Sequence, residues 1–165
     1  SEIMNTLDYA IEMEFDGEKY YEEQAKLNEN SSVKTVCLIL ARDEGIHAQI
    51  LQNKMNKHEY KLVDTESYAK IKSIFKNAEN FKSEIRDIPT QLEFYRTALE
   101  KEKQSIDLYT DLLANAADIE ESNLFKYLIE QETRHFSLLD EMVEMLRHAE
   151  EWVESAEFGL RTETY

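Results

Sequence analysis

Apolar residues recur every three or four positions over four long stretches of the chain, the spacing that gathers side chains on one face of an α-helix. The first stretch, from about residue 3 to 27, carries Leu7, Ala10, Ile11, Glu14, Gly17, Tyr21 and Ala25 on its stripe. After a polar break at 28–32, the second carries Val36, Leu40, Glu44, His47, Leu51 and Met55. The third carries Tyr95, Ala98, Leu99, Glu102, Ile106, Tyr109 and Leu112. The fourth, from about residue 120 to beyond Trp152, carries Phe125, Leu128, Glu132, His135, Leu139, Met142 and Leu146. Capping residues mark the ends: Ser31 or Ser32 before the second helix, Thr90 with Glu93 after Pro89 for the third, and Asp118 for the fourth. Gly159 is the expected stop of the last helix, with a tail at 159–165.

Residues 60–89 do not share this pattern, although Tyr68, Ile71, Ile74 and Phe75 predict a short helix lying across the others. The break at 28–32 permits only an antiparallel hairpin, whereas about thirty residues can return along the length of a bundle. The expected fold is therefore all-α: an antiparallel four-helix bundle with a long crossover between helices two and three. Composition agrees. A chain of 165 residues with three Gly and one Pro has few turn signals and fits one domain, 1–165, with a single core. Its one cysteine, Cys37, excludes an internal disulfide framework or a four-cysteine metal site. The net charge of −16 argues against nucleic acid as a partner. The absence of a long apolar run argues against a membrane span, so a soluble, cytoplasmic protein is expected.

The stripes hold something a packed core does not need. Glu14, Glu44 and His47 map onto Glu102, Glu132 and His135 by one offset of 88 residues. A single Glu-x-x-His is weak evidence in so acidic a chain, but two copies on apolar stripes, each with its upstream glutamate, are hard to obtain by accident. Four carboxylates facing one another in a bundle would cost several kcal/mol each without compensation. Two divalent cations supply the balancing charge and two neutral imidazoles complete the shells. Oxygen and nitrogen ligation without sulfur suits iron, with manganese or a mixed pair next, and no haem or flavin motif is read.

The order Glu, Glu-x-x-His, Glu, Glu-x-x-His with a long crossover resembles the ferritin-like di-iron carboxylate proteins. The stretches Ala10–Tyr21 and Ala41–Ala48 are most similar to rubrerythrins and their single-domain relatives. The resemblance implies that Glu44 and Glu132 bridge two metals, that Glu14 with His47 completes one shell, and that Glu102 with His135 completes the other. No catalytic residue beyond these ligands is implied. Tyr21 and Tyr109, two turns beyond the terminal glutamates, are either hydrogen-bond partners of ligand carboxylates or tyrosines packed in the core. Glu18, one turn from Glu14, is either a further ligand or a solvated boundary residue. Gly17 and Gly45 sit beside the site, and Gly17 leaves either room for a small oxidant or close helix packing. Rubrerythrins have a further glutamate one turn after the third-helix ligand, where this chain has Ser105, and a four-cysteine rubredoxin module that Cys37 alone cannot supply.

The function so implied is a non-haem di-iron oxidoreductase that reduces hydrogen peroxide or dioxygen, working as a homodimer with a separate electron donor such as a rubredoxin-type protein. Two rival readings are a ferroxidase for iron storage of bacterioferritin type and a structural or interaction bundle that metal merely stabilises.

Overall fold

The computed structural model describes residues 2–29, 31–77 and 89–162, and the side chains of 5–29, 31–77 and 93–148. Five helices make up this part of the chain: α1 (Glu2–Leu27), α2 (Ser32–Met55), α3 (Ser67–Asn77), α4 (Pro89–Ala114) and α5 (Ile119–Thr162). Helix α1 packs along α2 and α4 along α5, forming two hairpins that face each other, while α3 lies against α2 and α5.

Two apolar clusters fill the bundle and the six stripe carboxylates and imidazoles lie between them. One cluster contains Leu7, Ala10, Ile50, Leu51, Tyr109, Leu124 and Leu128. The other contains Tyr21, Ala25, Val36, Leu40, Ile71, Tyr95, Ala98, Leu138 and Leu139. Each fully buried aliphatic side chain of this kind contributes about 1.5–3 kcal/mol. Helices α1 and α5 run from the first cluster to the second, whereas α2 and α4 run from the second to the first. Helix α2 therefore ends at the first cluster and α4 must begin at the second, so the intervening chain has to travel the length of the bundle. Tyr60 packs on the first cluster and Ile71, Ile74 and Phe75 on the second, tracing that path. The fold is the ferritin-like bundle expected from the sequence.

Local chemistry sets the ends, in part differently from expectation. Ser31 has extended backbone at the start of α2 but makes no side-chain cap; its hydroxyl donates instead to the Asn28 carbonyl at 3.0 Å. At the start of α5, Asp118 Oδ1 accepts from the Glu121 N–H and the Glu121 carboxylate accepts from the Ala117 N–H, both at 2.9 Å, a reciprocal cap. Pro89 opens α4, where its missing N–H costs nothing, and the cap read from Thr90 lies outside the described side chains. Gly159 does not stop α5, which continues to Thr162. A glycine inside a helix costs only about 1 kcal/mol relative to alanine, and no proline follows it to forbid the next turn. Among the described residues no helix is long and apolar enough to cross a membrane.

Candidate metal centre

The four bundle helices each deliver their polar stripe residues to one layer. Glu14 comes from α1, Glu44 and His47 from α2, Glu102 from α4, and Glu132 and His135 from α5; all are at most 3 % exposed. Their ligand atoms form two groups, Glu14, Glu44, His47 and Glu132 in one and Glu44, Glu102, Glu132 and His135 in the other. Within each group the atoms lie within 4.8 Å of one another. Glu44 and Glu132 belong to both. His47 Nδ1 is 2.7 Å from Glu132 Oε1 and 3.5 Å from Glu14 Oε2, and His135 Nδ1 is 3.1 Å from Glu44 Oε1 and 3.4 Å from Glu102 Oε1. The two imidazoles stack with centroids 5.9 Å apart.

Burial pushes the Glu44 and Glu132 carboxyls well above the usual carboxylate range, and the neighbouring carboxylates push them further. The same burial acts on Glu14 and Glu102. There it is outweighed by the neighbouring Glu44 and Glu132 carboxyls, which hold the proton in their place, and by His47 and His135; both groups stay below that range, Glu102 at about 2. Desolvation would lower His135, but Glu102, Asp43 and Glu132 raise it well above the ordinary histidine value. Without a cation these surroundings favour the protonated forms of the two central carboxyls and of the His135 imidazole.

That arrangement leaves atoms over. Among the described residues the buried side-chain atoms without a hydrogen-bond partner are Glu14 Oε2, both nitrogens of His47, Glu102 Oε2 and both oxygens of Glu132. Every one belongs to the six, although His47 Nδ1 and Glu132 Oε1 are close enough to bond and lack only the alignment. A buried polar group left unpaired costs about 1–3 kcal/mol, and native structures contain few of them. Six in one layer, all carboxylate oxygens or imidazole nitrogens, fit a metal site. In the described ion pairs the only basic groups facing these carboxylates are the two imidazoles. Cys37 is buried, and burial pushes its thiol up to about 12, so it offers no thiolate.

The surroundings place the other residues singled out in the sequence. Tyr21 donates to Glu102 Oε1 at 2.6 Å and Tyr109 to Glu14 Oε1 at 2.5 Å, each reaching across to the opposite hairpin. Glu18 is not part of the cluster: its carboxylate lies against Gly45, where an added Cβ would collide with it. Gly45 thereby makes room for Glu18 rather than for the site. At Gly17 an added Cβ would stand 3.4 Å from Glu44 Oε2. The missing side chain opens one wall of a cavity of about 170 Å³ that runs from the exposed Tyr9, Glu12 and Asp16 to Glu44 and Glu102. Ser105, which occupies the same place on α4 that Gly17 occupies on α1, lines it as well. His58 lines a separate surface hollow and His148 is exposed, so neither joins the layer.

Asp43 was not among the residues read from the sequence. It is 1 % exposed, and its Oδ2 is 2.8 Å from His135 Nε2. It lies next to Glu44, about 100° around the helix and off the inner stripe, so the periodicity does not single it out. One signal was present: its counterpart at the 88-residue offset is Gln131, also polar and also buried.

Comparison with known proteins agrees with this geometry. A family model described as Rubrerythrin matches residues 5–143, a span that contains all six clustered residues. No curated protein and no solved structure matches the chain.

Proposed function

The chain belongs to the rubrerythrin family, and on that premise we propose that it is a di-iron oxidoreductase that reduces hydrogen peroxide or dioxygen with electrons from a separate donor. The observation that carries the reading is the layer of six buried residues in two overlapping groups, whose unpartnered atoms are all carboxylate oxygens or imidazole nitrogens. Glu14 and His47 would hold one iron, Glu102 and His135 the other, and Glu44 and Glu132, common to both groups, would bridge them. When bound, a ferrous pair supplies the two electrons that reduction of a peroxide O–O bond requires.

The chain's own residues do the rest. Tyr21 and Tyr109 hold the terminal carboxylates so that one oxygen of each remains directed into the layer. The apolar clusters above and below exclude bulk water and leave the cavity beside Gly17 and Ser105 as the described approach, small enough to favour a diatomic or peroxide over a larger substrate. Glu44, Glu132 and His135, whose protonated forms their surroundings favour, would have to release those protons to hold a cation.

The test is anaerobic reconstitution with ferrous iron, metal analysis, and then stoichiometric hydrogen peroxide followed by absorption and Mössbauer spectroscopy. Two irons per chain, oxidised together by one peroxide, are expected. Failure to bind a pair, or a bound pair inert to both peroxide and dioxygen, would remove the proposal. Native mass addresses the storage alternative, since a hollow cage of many subunits would favour it over the expected homodimer.

A further inference from the structure

The two histidines of the layer are anchored from outside by unlike means. His135 Nε2 meets Asp43 Oδ2 at 2.8 Å, and the other oxygen, Oδ1, accepts a 2.8 Å hydrogen bond from Ser67 Oγ. Ser67, 7 % exposed, is the first residue of α3, and the Thr65 hydroxyl lies 2.8 Å from its oxygen. Both oxygens of Asp43 are therefore engaged. With Oδ1 taken by Ser67, Oδ2 is left to accept from His135 Nε2–H, which places the ring proton there and turns Nδ1 toward Glu44, Glu102 and Glu132.

His47 lacks such an anchor. Its Nε2 has no hydrogen-bond partner, and its ring is held by stacking on His135 and by an edge contact with Tyr127 at 6.1 Å. Tyr127 is itself tied to the crossover through the Val63 carbonyl. The internal repeat shows the origin of the difference, because where α2 has Asp43 the matching position of α5 has the uncharged Gln131.

We infer that Asp43, seated by Ser67 from the crossover, is a positioning residue that makes the two metal positions unequal, so that the His135 position takes its ion first and more tightly. A fixed tautomer and ring orientation remove reorganisation from the binding step, and a carboxylate on the far nitrogen increases the donor strength of the near one. The inference rests on the proposed metal centre, and its test separates the two.

Metal-depleted full chain is titrated anaerobically with Co²⁺ alone. Visible absorption reports occupancy, and proton NMR reports contact-shifted, exchangeable imidazole N–H signals. Two resolved steps are expected, with one slowly exchanging N–H signal appearing during the first. D43N should weaken the first step by about 10–100-fold, leave the second in place and speed exchange of that signal. S67A should move the same step in the same direction by a smaller factor. It removes only one hydroxyl at the bundle's edge, so it decides the matter even if D43N fails to fold. Two steps of equal affinity in the wild type, or a loss spread equally over both steps in the variants, would overturn the inference while leaving the metal centre standing. Absence of any Co²⁺ binding would overturn both.

Discussion

Replacing Glu132 by glutamine separates a residue kept for metal from one kept for the fold. Glu132 is fully buried, both of its oxygens lack partners, and burial together with Glu102 and Glu14 pushes its carboxyl well above the usual range. E132Q keeps the shape, makes the group neutral at every pH and adds donors toward oxygens that have none. Relief of one such group amounts to about 1–3 kcal/mol. For a chain of this size each kcal/mol shifts the melting temperature by about 2–4 °C. In chelator at pH 8, E132Q should thus melt roughly 2–12 °C above the wild type. Metal should reverse the order. An ion at a thousandfold excess over its Kd stabilises the folded state by about 4 kcal/mol, so anaerobic ferrous iron should raise the wild-type melting temperature by roughly 8–16 °C per tight site. The E132Q variant should lose most of that rise. The assay is thermal unfolding followed by far-ultraviolet circular dichroism, with chelator and with metal. A variant that melts lower than the wild type in chelator yet retains the full metal response would refute the reasoning.

Three further outcomes follow from the same layer. In chelator, stability should fall as pH rises above about 5. Glu44 and Glu132 have folded values raised above 4.5 and His135 above 6.5, so each holds its proton more tightly when folded and loses that contribution as pH climbs through the raised value. Glu14 and Glu102 act oppositely, but the contribution of Glu102 disappears only as pH falls toward about 2; urea midpoints that rise from pH 5 to pH 9 would contradict the assignment. Y21F and Y109F free the Glu102 and Glu14 oxygens they now engage, and each should weaken metal binding by about 10–100-fold in equilibrium titrations while costing about 1 kcal/mol of stability. H58A and H148A should leave metal stoichiometry unchanged by elemental analysis, because both side chains are exposed and outside the layer; a loss equal to that of H135A would mean that the wrong histidines are assigned.

By itself the sequence determined the helices, their pairing and the six residues that meet. Those features are periodic: an apolar stripe interrupted by a carboxylate is visible along one helix, and an 88-residue repeat shows that the interruption occurs twice. The up-down-down-up order was also legible, since a short break and a long one leave few ways to connect four helices. Only the tertiary structure decided what lies behind the ligands. Asp43 points away from the stripe of its own helix, and it becomes a buried partner of His135 because Ser67 arrives from a crossover that carries no repeat. Gly45 answers to Glu18 on a neighbouring helix, and Gly17 to Glu44, which no pattern within one helix reveals. Periodicity encodes which face a residue occupies, whereas a hydrogen bond depends on which element packs against that face. That second fact is a property of the folded chain, and here it distinguishes two histidines that the repeat alone makes equivalent.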